Sequence, residues 1–290
     1  MREIVLETNK LTKSYGSVKA VKDFSIRLDD GKIYGLLGRN GAGKTTFLNL
    51  ITSRIFADSG EVRLYGQTVV ENQALLSQIC YMPEKNLFIP SLRVSEILRT
   101  AAEFHSQFDT EYADLLCKKF ELDKNKKYKT LSRGYESILR IVIGLASRAP
   151  LTIFDEPVLG LDAAVRDLFY RELIEDYTKY PRTFIVSTHL IEESADVFEE
   201  AIIMKEGALV EQLTVEELKE KARYVSGRNE AVDQATAGLR ILHSEMVGNI
   251  KIAAVFENFD TETLKKMSNY QVDITPIPVQ KLFIYLTENH

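Results

Sequence analysis

Residues 33–45 read Ile-Tyr-Gly-Leu-Leu-Gly-Arg-Asn-Gly-Ala-Gly-Lys-Thr, an apolar run that leads into the pattern G-x-x-x-x-G-K-[ST]. The run is typical of a buried parallel strand, and Phe47, Leu48 and Ile51 then follow a helical period. Glycines between a strand and a helix let backbone N–H groups converge on phosphate oxygens at the positive end of the helix. The pattern therefore predicts a phosphate-binding loop inside an α/β domain.

The side chains of this loop predict how phosphates would be held. Lys44 is expected to reach the outer phosphates, and the Thr45 hydroxyl is expected to ligate magnesium. A chance glycine-rich turn is the alternative interpretation. The predicted nucleotide-binding set of this region is Gly38, Arg39, Asn40, Gly41, Ala42, Gly43, Lys44, Thr45 and Thr46.

A second apolar run, residues 151–154, ends in the adjacent carboxylates Asp155 and Glu156. We expect Asp155 to hold magnesium through water and Glu156 to point at an attacking water molecule. Acidic residues at a strand end are individually common. The specific signal is their pairing with a phosphate loop about one hundred residues upstream.

The composition is that of a globular protein: 290 residues, 45% hydrophobic, 27% charged and seven prolines. This length allows one full-sized domain and a small one. The formal net charge of -5 argues against a general cationic surface, so no nucleic-acid partner is expected. Cys80 and Cys117 have no metal-ligand spacing and are expected to be buried reduced thiols of a cytosolic protein.

No stretch approaches the roughly 20 apolar residues that a membrane span needs. The strongest candidate, residues 138–146, is short and carries Arg140. Any role at a membrane is therefore expected to depend on a partner protein.

Short β-type runs that alternate with helical segments predict an α/β architecture. We expect buried parallel strands at residues 33–38, 151–155 and 183–187, and antiparallel strands in the opening region. One helical stretch is expected between Arg93 and Leu122, with a single apolar stripe made of Ile97, Leu98, Ala101, Phe104 and Phe108.

The end of the chain differs in pattern from the rest. A hairpin is expected at Glu206-Gly207, followed by a connecting helix that a Thr214–Glu217 capping box opens and that runs to about Arg223. A β-rich tail with a turn at Gly248-Asn249 comes next, and Leu282, Phe283 and Leu286 predict a closing helix. This tail contains no catalytic motif.

Three further motifs stand beside the first two: Leu131-Ser132-Arg133-Gly134-Tyr135, Gly160-Leu161-Asp162 and Ser187-Thr188-His189. Their order resembles the ATP-binding subunit of an ATP-binding cassette (ABC) transporter over roughly residues 3–215. The resemblance implies a P-loop ABC ATPase fold, with a RecA-like parallel-sheet core, an antiparallel β subdomain and a helical subdomain at about residues 90–150. The expected division is a cassette at 1–224 and a small C-terminal α+β accessory domain at 225–290.

The resemblance also implies ATP and Mg²⁺ as cofactors and assigns roles to further residues. Tyr15 matches the aromatic residue that stacks on adenine, and His189 matches the histidine that contacts the γ-phosphate. A core tyrosine and a structural histidine are the alternatives. Ser132 and Gly134 match the residues that cap the γ-phosphate bound by the opposite subunit, and Asp162 joins the nucleotide-binding set.

Two departures from the family pattern bear on this site. Arg133 and Tyr135 replace a glycine and a glutamine of the usual Leu-Ser-Gly-Gly-Gln signature. Glu84 stands where the family shows a glutamine that senses magnesium and water, and it is expected to ligate the metal with a charge. The effect of the three residues on hydrolysis is open at this point.

The resemblance implies that a head-to-tail dimer of cassettes, homodimeric or heterodimeric, hydrolyses ATP at the cytoplasmic face of the membrane. It would power a separate multi-span permease, whose helix would dock on the apolar residues 86–90 unless these are ordinary loop packing. Residues 136–140, Glu84 and the short tail are more similar to the exporter branch. Within that branch the chain as a whole, rather than any single motif, most resembles Gram-positive cassettes of the phenol-soluble modulin exporter type. A soluble ATP-dependent switch and an importer subunit are the alternatives.

Overall fold

The computed structural model describes residues 3–85, 88–191 and 193–288, apart from the side chains at positions 262, 266 and 268. The chain divides into two compact units, Met1–Gln212 and Leu213–His290. In the described ranges, no helix is both long enough and apolar enough to cross a membrane.

A six-stranded sheet forms the centre of the first unit, in the order β10-β9-β3-β8-β7-β6. Its strands β3, β6, β7, β8 and β9 pair in parallel, which explains why β3, β7 and β8 are buried along their whole length. The parallel strands predicted from the apolar runs are thereby confirmed. The bounds are β3 Ile33–Leu37, β6 Ile79–Met82, β7 Leu151–Asp155, β8 Thr183–Thr188, β9 Glu200–Lys205 and β10 Ala208–Thr214.

A four-stranded sheet of order β2-β1-β4-β5 lies beside it, and its pairs are antiparallel. Phe24 of this sheet packs on Phe47 of the helix after the phosphate loop, with ring centroids 4.7 Å apart. A shared hydrophobic core thus fixes that helix between the two sheets. The bounds are β1 Ile4–Tyr15, β2 Val18–Asp29, β4 Ser59–Leu64 and β5 Gln67–Thr68.

Helices surround the sheets, with α3 to α5 following one another between β6 and β7. The stretch between Arg93 and Leu122 is helical as predicted, but its single apolar stripe is wrong. Helix α3 ends at Phe104, and the Asp109 side chain caps a new helix by accepting from Tyr112 N. Ile97 and Leu98 are buried as expected, but Phe104 is 75% exposed. The bounds are α1 Lys44–Ile51, α2 Gln73–Leu76, α3 Val94–Phe104, α4 Thr110–Lys119, α5 Arg133–Ala146 and α6 Ala163–Lys179.

The second unit has the element order βαββαβ after its first helix, with sheet order β12-β13-β11-β14. All three of these pairings are antiparallel, which is the arrangement of a ferredoxin-like, split βαβ fold. A final helix follows the sheet, as the apolar stripe at Leu282 predicted. The bounds are α7 Val215–Lys221, β11 Ala222–Arg228, α8 Asn229–Ala235, β12 Ile241–Val247, β13 Ile250–Phe256, α9 Thr261–Ser268, β14 Asp273–Pro276 and α10 Val279–Thr287.

The boundary between the units lies twelve residues before the expected one at 224/225. The capping box of Thr214 and Glu217 is present, but the helix that it opens belongs to the second unit and leads directly into β11. Val215 and Leu218 are buried, and Glu257 N donates to Lys221 O. The helix is therefore part of a fold rather than a free connector.

Both cysteines are free thiols with buried side chains, as expected. Burial raises the pKa of each, Cys80 and Cys117, to about 11, so both stay protonated at neutral pH.

Candidate active site

The loop between β3 and α1 has the conformation that its glycines permit. Gly43, which precedes α1, has a φ of 102°, in the left-handed region that favours glycine. A Cβ atom at this position would lie 2.1 Å from Ala20 O, so no other residue fits. The first turn of α1 has N–H groups without partners inside the helix, which are the donors that an anion site requires.

Lys44 is buried at the start of α1. Its Nζ atom donates to Gly38 O at 2.7 Å and lies 3.2 Å from Oε1 of Glu156. A carbonyl and a carboxylate thus hold the ammonium group inside the loop. Phosphate oxygens of a bound nucleotide could accept further hydrogen bonds from it.

Asp155 ends β7 and meets the phosphate loop directly. Thr45 Oγ1 donates to its Oδ2 at 2.8 Å, while its Oδ1 is buried without a hydrogen-bond partner. Burial raises the pKa of Asp155, and the Thr45 hydrogen bond opposes that shift. A buried carboxylate oxygen without a donor, beside a hydroxyl, suits a hard cation such as Mg²⁺.

Glu156 is held from both sides. Its Oε2 lies 2.9 Å from Nδ1 of His189, and its Oε1 pairs with Lys44. Its φ of 48° lies in the left-handed region, which costs a residue other than glycine about 1–3 kcal/mol. The backbone bond from Glu156 N to Ser187 O helps to hold this conformation. Strain of this kind clusters at functional sites, in agreement with the role expected of Glu156.

One cavity of about 390 Å³ collects most of the predicted site. Its lining includes the phosphate loop, the expected base, the expected metal ligand at position 84 and the histidine after β8. The lining residues are Ala20, Arg39, Asn40, Gly41, Ala42, Gly43, Lys44, Thr45, Thr46, Glu84, Glu156, Leu159 and His189. Asp155 does not line the cavity because it is buried beneath Thr45.

The signature residues line a different cavity, of about 460 Å³, which shares no lining residue with the first. Ser132 caps α5 and Asp162 caps α6, each by accepting from the backbone N–H three residues on. Gly134 packs on the loop before α6, where a Cβ atom would lie 3.0 Å from Gly160 O. Two helix N-termini therefore open on this second cavity.

Tyr15 lies at the end of β1 with 52% of its surface exposed. It lines neither cavity. This exposure contradicts the alternative that Tyr15 is a core residue. It leaves the ring accessible for stacking on a nucleotide base. Its role in adenine stacking stays a prediction.

Sequence reasoning missed Arg140. Its guanidinium is buried and donates to the backbone of the loop that carries Glu84. The signal was a single charge in the apolar run 138–146, which we used only as evidence against a membrane span. A charge inside an apolar helix is expected to have specific partners.

The fold and the first cavity define a P-loop nucleoside triphosphatase of the cassette type. The family model described as ABC transporter matches residues 21–159. The chain is 30% identical over 217 residues to the ABC transporter ATP-binding protein YtrB of Bacillus subtilis (strain 168), with 75% of this chain and 74% of YtrB covered. The chain therefore belongs to the ABC transporter ATP-binding family, and it is an ATP-hydrolysing nucleotide-binding subunit.

Two more comparisons agree with this assignment. The bacitracin transport ATP-binding protein BcrA of Enterococcus faecalis is 32% identical over 228 residues, which cover 76% of this chain and 73% of BcrA. A dimeric structure of a bacterial ABC transporter cassette superposes with a TM-score of 0.65 at 22% identity, over 72% of this chain and 98% of the other. The superposition supports the cassette fold.

Proposed function

We propose that two copies of this chain close head to tail around two ATP molecules, and that hydrolysis reopens them. The observation that carries this proposal is the division of the site between two cavities. Helix N-termini at Ser132 and Asp162 suit phosphate oxygens, yet no phosphate-loop residue lines their cavity. In a two-fold dimer each such cavity completes the nucleotide site of the other copy, so both sites form at once.

Within each site the residues have separate tasks. Lys44 and the loop N–H groups bind phosphates, Glu156 accepts a proton from water, and His189 orients Glu156. Thr45, Asp155 and Glu84 are the proposed ligands of Mg²⁺. When bound, the ion neutralises negative charge on the phosphates.

We further propose that the subunit works at the cytoplasmic face of a membrane and powers a separate multi-span permease. The similarity to BcrA, a bacitracin transport protein by name, supports export of amphipathic peptides, such as phenol-soluble modulins. The permease helix would dock near residues 86–90. Of these, Asn86 and Leu87 lie outside the described residues, Ile89 is 61% exposed, and the Phe88 ring packs on Tyr128 with centroids 5.5 Å apart.

The test is to trap the complex in its native cell with a tagged Glu156→Gln variant and ATP, solubilise the membranes gently, and identify what co-purifies. Recovery of a multi-span protein in roughly equal amount supports the transport proposal. Ile89→Glu is the docking variant and Val70→Glu, another exposed apolar position in the first unit, is its control. Recovery of the chain alone as a soluble ATP-bound dimer contradicts the transport proposal and favours a soluble switch.

For the second unit we propose a regulatory role in which it stabilises the dimer. Its edge strand β12 exposes Met246 and Val247, and Ile250 is exposed after the turn, at the start of β13. Antiparallel pairing of two β12 strands about Ser244 would set His243 against Glu245 of the other copy and would place no like charges opposite each other. A second copy of this chain is therefore the proposed occupant of the edge.

This role is testable on the full chain without nucleotide, where ATP-driven closure cannot contribute. Sedimentation analysis should show concentration-dependent dimers that Val247→Glu weakens and Val70→Glu leaves unchanged. A nucleotide-free chain that stays monomeric at high concentration would contradict the proposal.

A further inference from the structure

Arg140 is a buried cation in the middle of α5, eight residues after the cap Ser132. Its Nη1 atom donates to Pro83 O at 2.6 Å and also to Glu84 O. Its Nη2 atom donates to Ser137 Oγ at 2.8 Å. One planar guanidinium thus joins the helix to two consecutive carbonyls of the loop after β6, and its fixed fork suits such a task.

Stability alone gives no strong reason for a charged residue at this buried position. Burial lowers the pKa of Arg140, which reflects the cost of removing its charge from water. Apolar residues of similar volume are often at least as stabilising as a buried ionic group. A function in positioning the loop explains an arginine here better than packing does.

Ser137 extends the connection to a second loop. Its Oγ atom donates to Leu159 O at 2.9 Å, in the loop that follows Glu156. Leu159 lines the phosphate cavity, and its own N–H donates to Glu156 O at 3.3 Å. The Arg140–Ser137 pair therefore contacts the backbone of the loop that carries Glu84, the expected metal ligand, and of the loop that follows Glu156, the expected base.

The same helix begins at the second cavity. Ser132 caps α5 there and Gly134 packs against Gly160. If a ligand shifts the N-terminus of α5, the following two turns of the helix shift with it. These turns carry Ser137 and Arg140, which bond the Leu159 loop and the Glu84 loop. Rigid elements with fixed contacts at both ends are suited to carry coupling between sites.

We propose that Arg140 is a positioning residue that, with Ser137, ties the signature helix to the loop of Glu84, so that nucleotide capture at Ser132 sets the position of Glu84 in the same chain. The inference rests on the proposed dimer, in which the two cavities of one chain serve different ATP molecules. Through this connection, ATP binding at one site would change the affinity of the other site, and the effect would be equal in both directions.

The first test is steady-state ATP hydrolysis by the purified full chain. Arg140→Met keeps much of the side-chain volume and removes every donor, whereas Arg140→Lys keeps the charge without the fork. Misplacement of a loop by about 1 Å can cost about 100-fold in rate, so we expect kcat to fall about 10- to 100-fold in Arg140→Met. KM for ATP should change by no more than about twofold, since the phosphate loop is untouched.

Arg182→Met is the matched control. Arg182 is equally buried, but it donates to Tyr180 O, to Asp176 and to Leu145 O in the last turn of α5. None of these hydrogen bonds reaches the Glu84 loop or the Leu159 loop. Removal of Arg182 should lower the melting temperature while leaving kcat below that temperature unchanged. Equal losses of kcat in both variants would mean that Arg140 is merely structural.

Hydrogen exchange provides a readout that is independent of turnover. In the nucleotide-free protein, the backbone amides of Glu84 and Lys85 should exchange faster in Arg140→Met than in the wild type, and Arg182→Met should leave these two unchanged. ATP should slow amide exchange of this segment in the Glu156→Gln variant. It should slow exchange less in the double variant that also carries Arg140→Met. Identical protection in both would overturn the coupling.

Ser137→Ala keeps the proposal testable if Arg140→Met fails to fold. It removes the bond to Leu159 and one acceptor of Arg140 with little change in volume, and a smaller fall in kcat in the same direction is expected. Unchanged kcat and exchange in Ser137→Ala and Arg140→Lys would overturn the proposal. The transport proposal fails separately, when purified ATPase activity is normal but no membrane protein is recovered.

Discussion

Oε2 of Glu156 lies 2.9 Å from Nδ1 of His189, each residue directly after one of two paired parallel strands. A carboxylate only accepts hydrogen bonds, so the contact suits the form of His189 that donates through Nδ1. The second oxygen of Glu156 faces Lys44 at 3.2 Å. The carboxylate is thus oriented on both oxygens before any substrate arrives.

The first prediction concerns Glu156→Gln. The amide keeps the shape of the side chain but cannot take a proton from water, so we expect hydrolysis to fall about 10²- to 10⁴-fold while ATP still binds. Single-turnover kinetics and equilibrium ATP binding measure the two effects. Glu175→Gln, an exposed position on α6, is the control. Hydrolysis at the wild-type rate in Glu156→Gln would remove Glu156 from the role of base.

The second prediction concerns Asp155→Asn in the absence of nucleotide. The pKa of Asp155 is raised on folding, so the native state binds more protons and stability falls as pH rises through the window above the unfolded pKa. Asparagine removes this cost while its side-chain oxygen can still accept from Thr45. We expect a higher melting temperature at neutral pH, where about 1 kcal/mol corresponds to about 2–4 °C in a domain of this size.

The same variant should respond less to magnesium. In the wild type, Mg²⁺ together with ATP is expected to raise the melting temperature beyond ATP alone, by mass action on the native state. In Asp155→Asn that increment should shrink because one of the two charged ligands is gone and only Glu84 remains. A variant that is less stable than the wild type without ligand, or equally responsive to Mg²⁺, would contradict this account of Asp155.

The sequence predicts the parts of this site that depend on neighbouring residues, and it misses contacts between residues far apart in the chain. The phosphate loop, the carboxylates after β7 and the cap at Asp162 each lie next to a strong periodic run, so their neighbours alone determine their place. The Arg140 contacts join residues 56 and 57 positions apart, and no local pattern specifies them. The apolar stripe extending to Phe104 and Phe108 was wrong because two local signals conflict there. The apolar spacing favours continuing the helix, whereas the Asp109 side chain caps a new one.

The third prediction separates two roles of Ser132. Ser132→Ala removes both the helix cap and the hydroxyl, and loss of a cap costs about 1 kcal/mol. Ser132→Asn keeps a good cap but changes the group that lines the second cavity. We expect Ser132→Asn to retain the wild-type melting temperature and yet to weaken ATP-driven dimerisation in the Glu156→Gln background, as measured by sedimentation. Unaltered dimerisation in both variants would separate Ser132 from the composite site.

The fourth prediction concerns Tyr15, whose ring is half exposed at the end of β1 and lies 5.8 Å from Nζ of Lys13. Stacking of a base on an aromatic ring is worth about 1–3 kcal/mol, so Tyr15→Ala should weaken ATP binding about 5- to 150-fold. Tyr15→Phe should bind like the wild type, because the stacking surface is kept. Since so much of the ring faces solvent, neither variant should lower the melting temperature without ligand by more than a few degrees.

Tyr180→Ala, which removes a similarly exposed tyrosine at the end of α6, is the control for nucleotide binding. Equal ATP affinity in Tyr15→Ala and the wild type would mean that the adenine is held elsewhere.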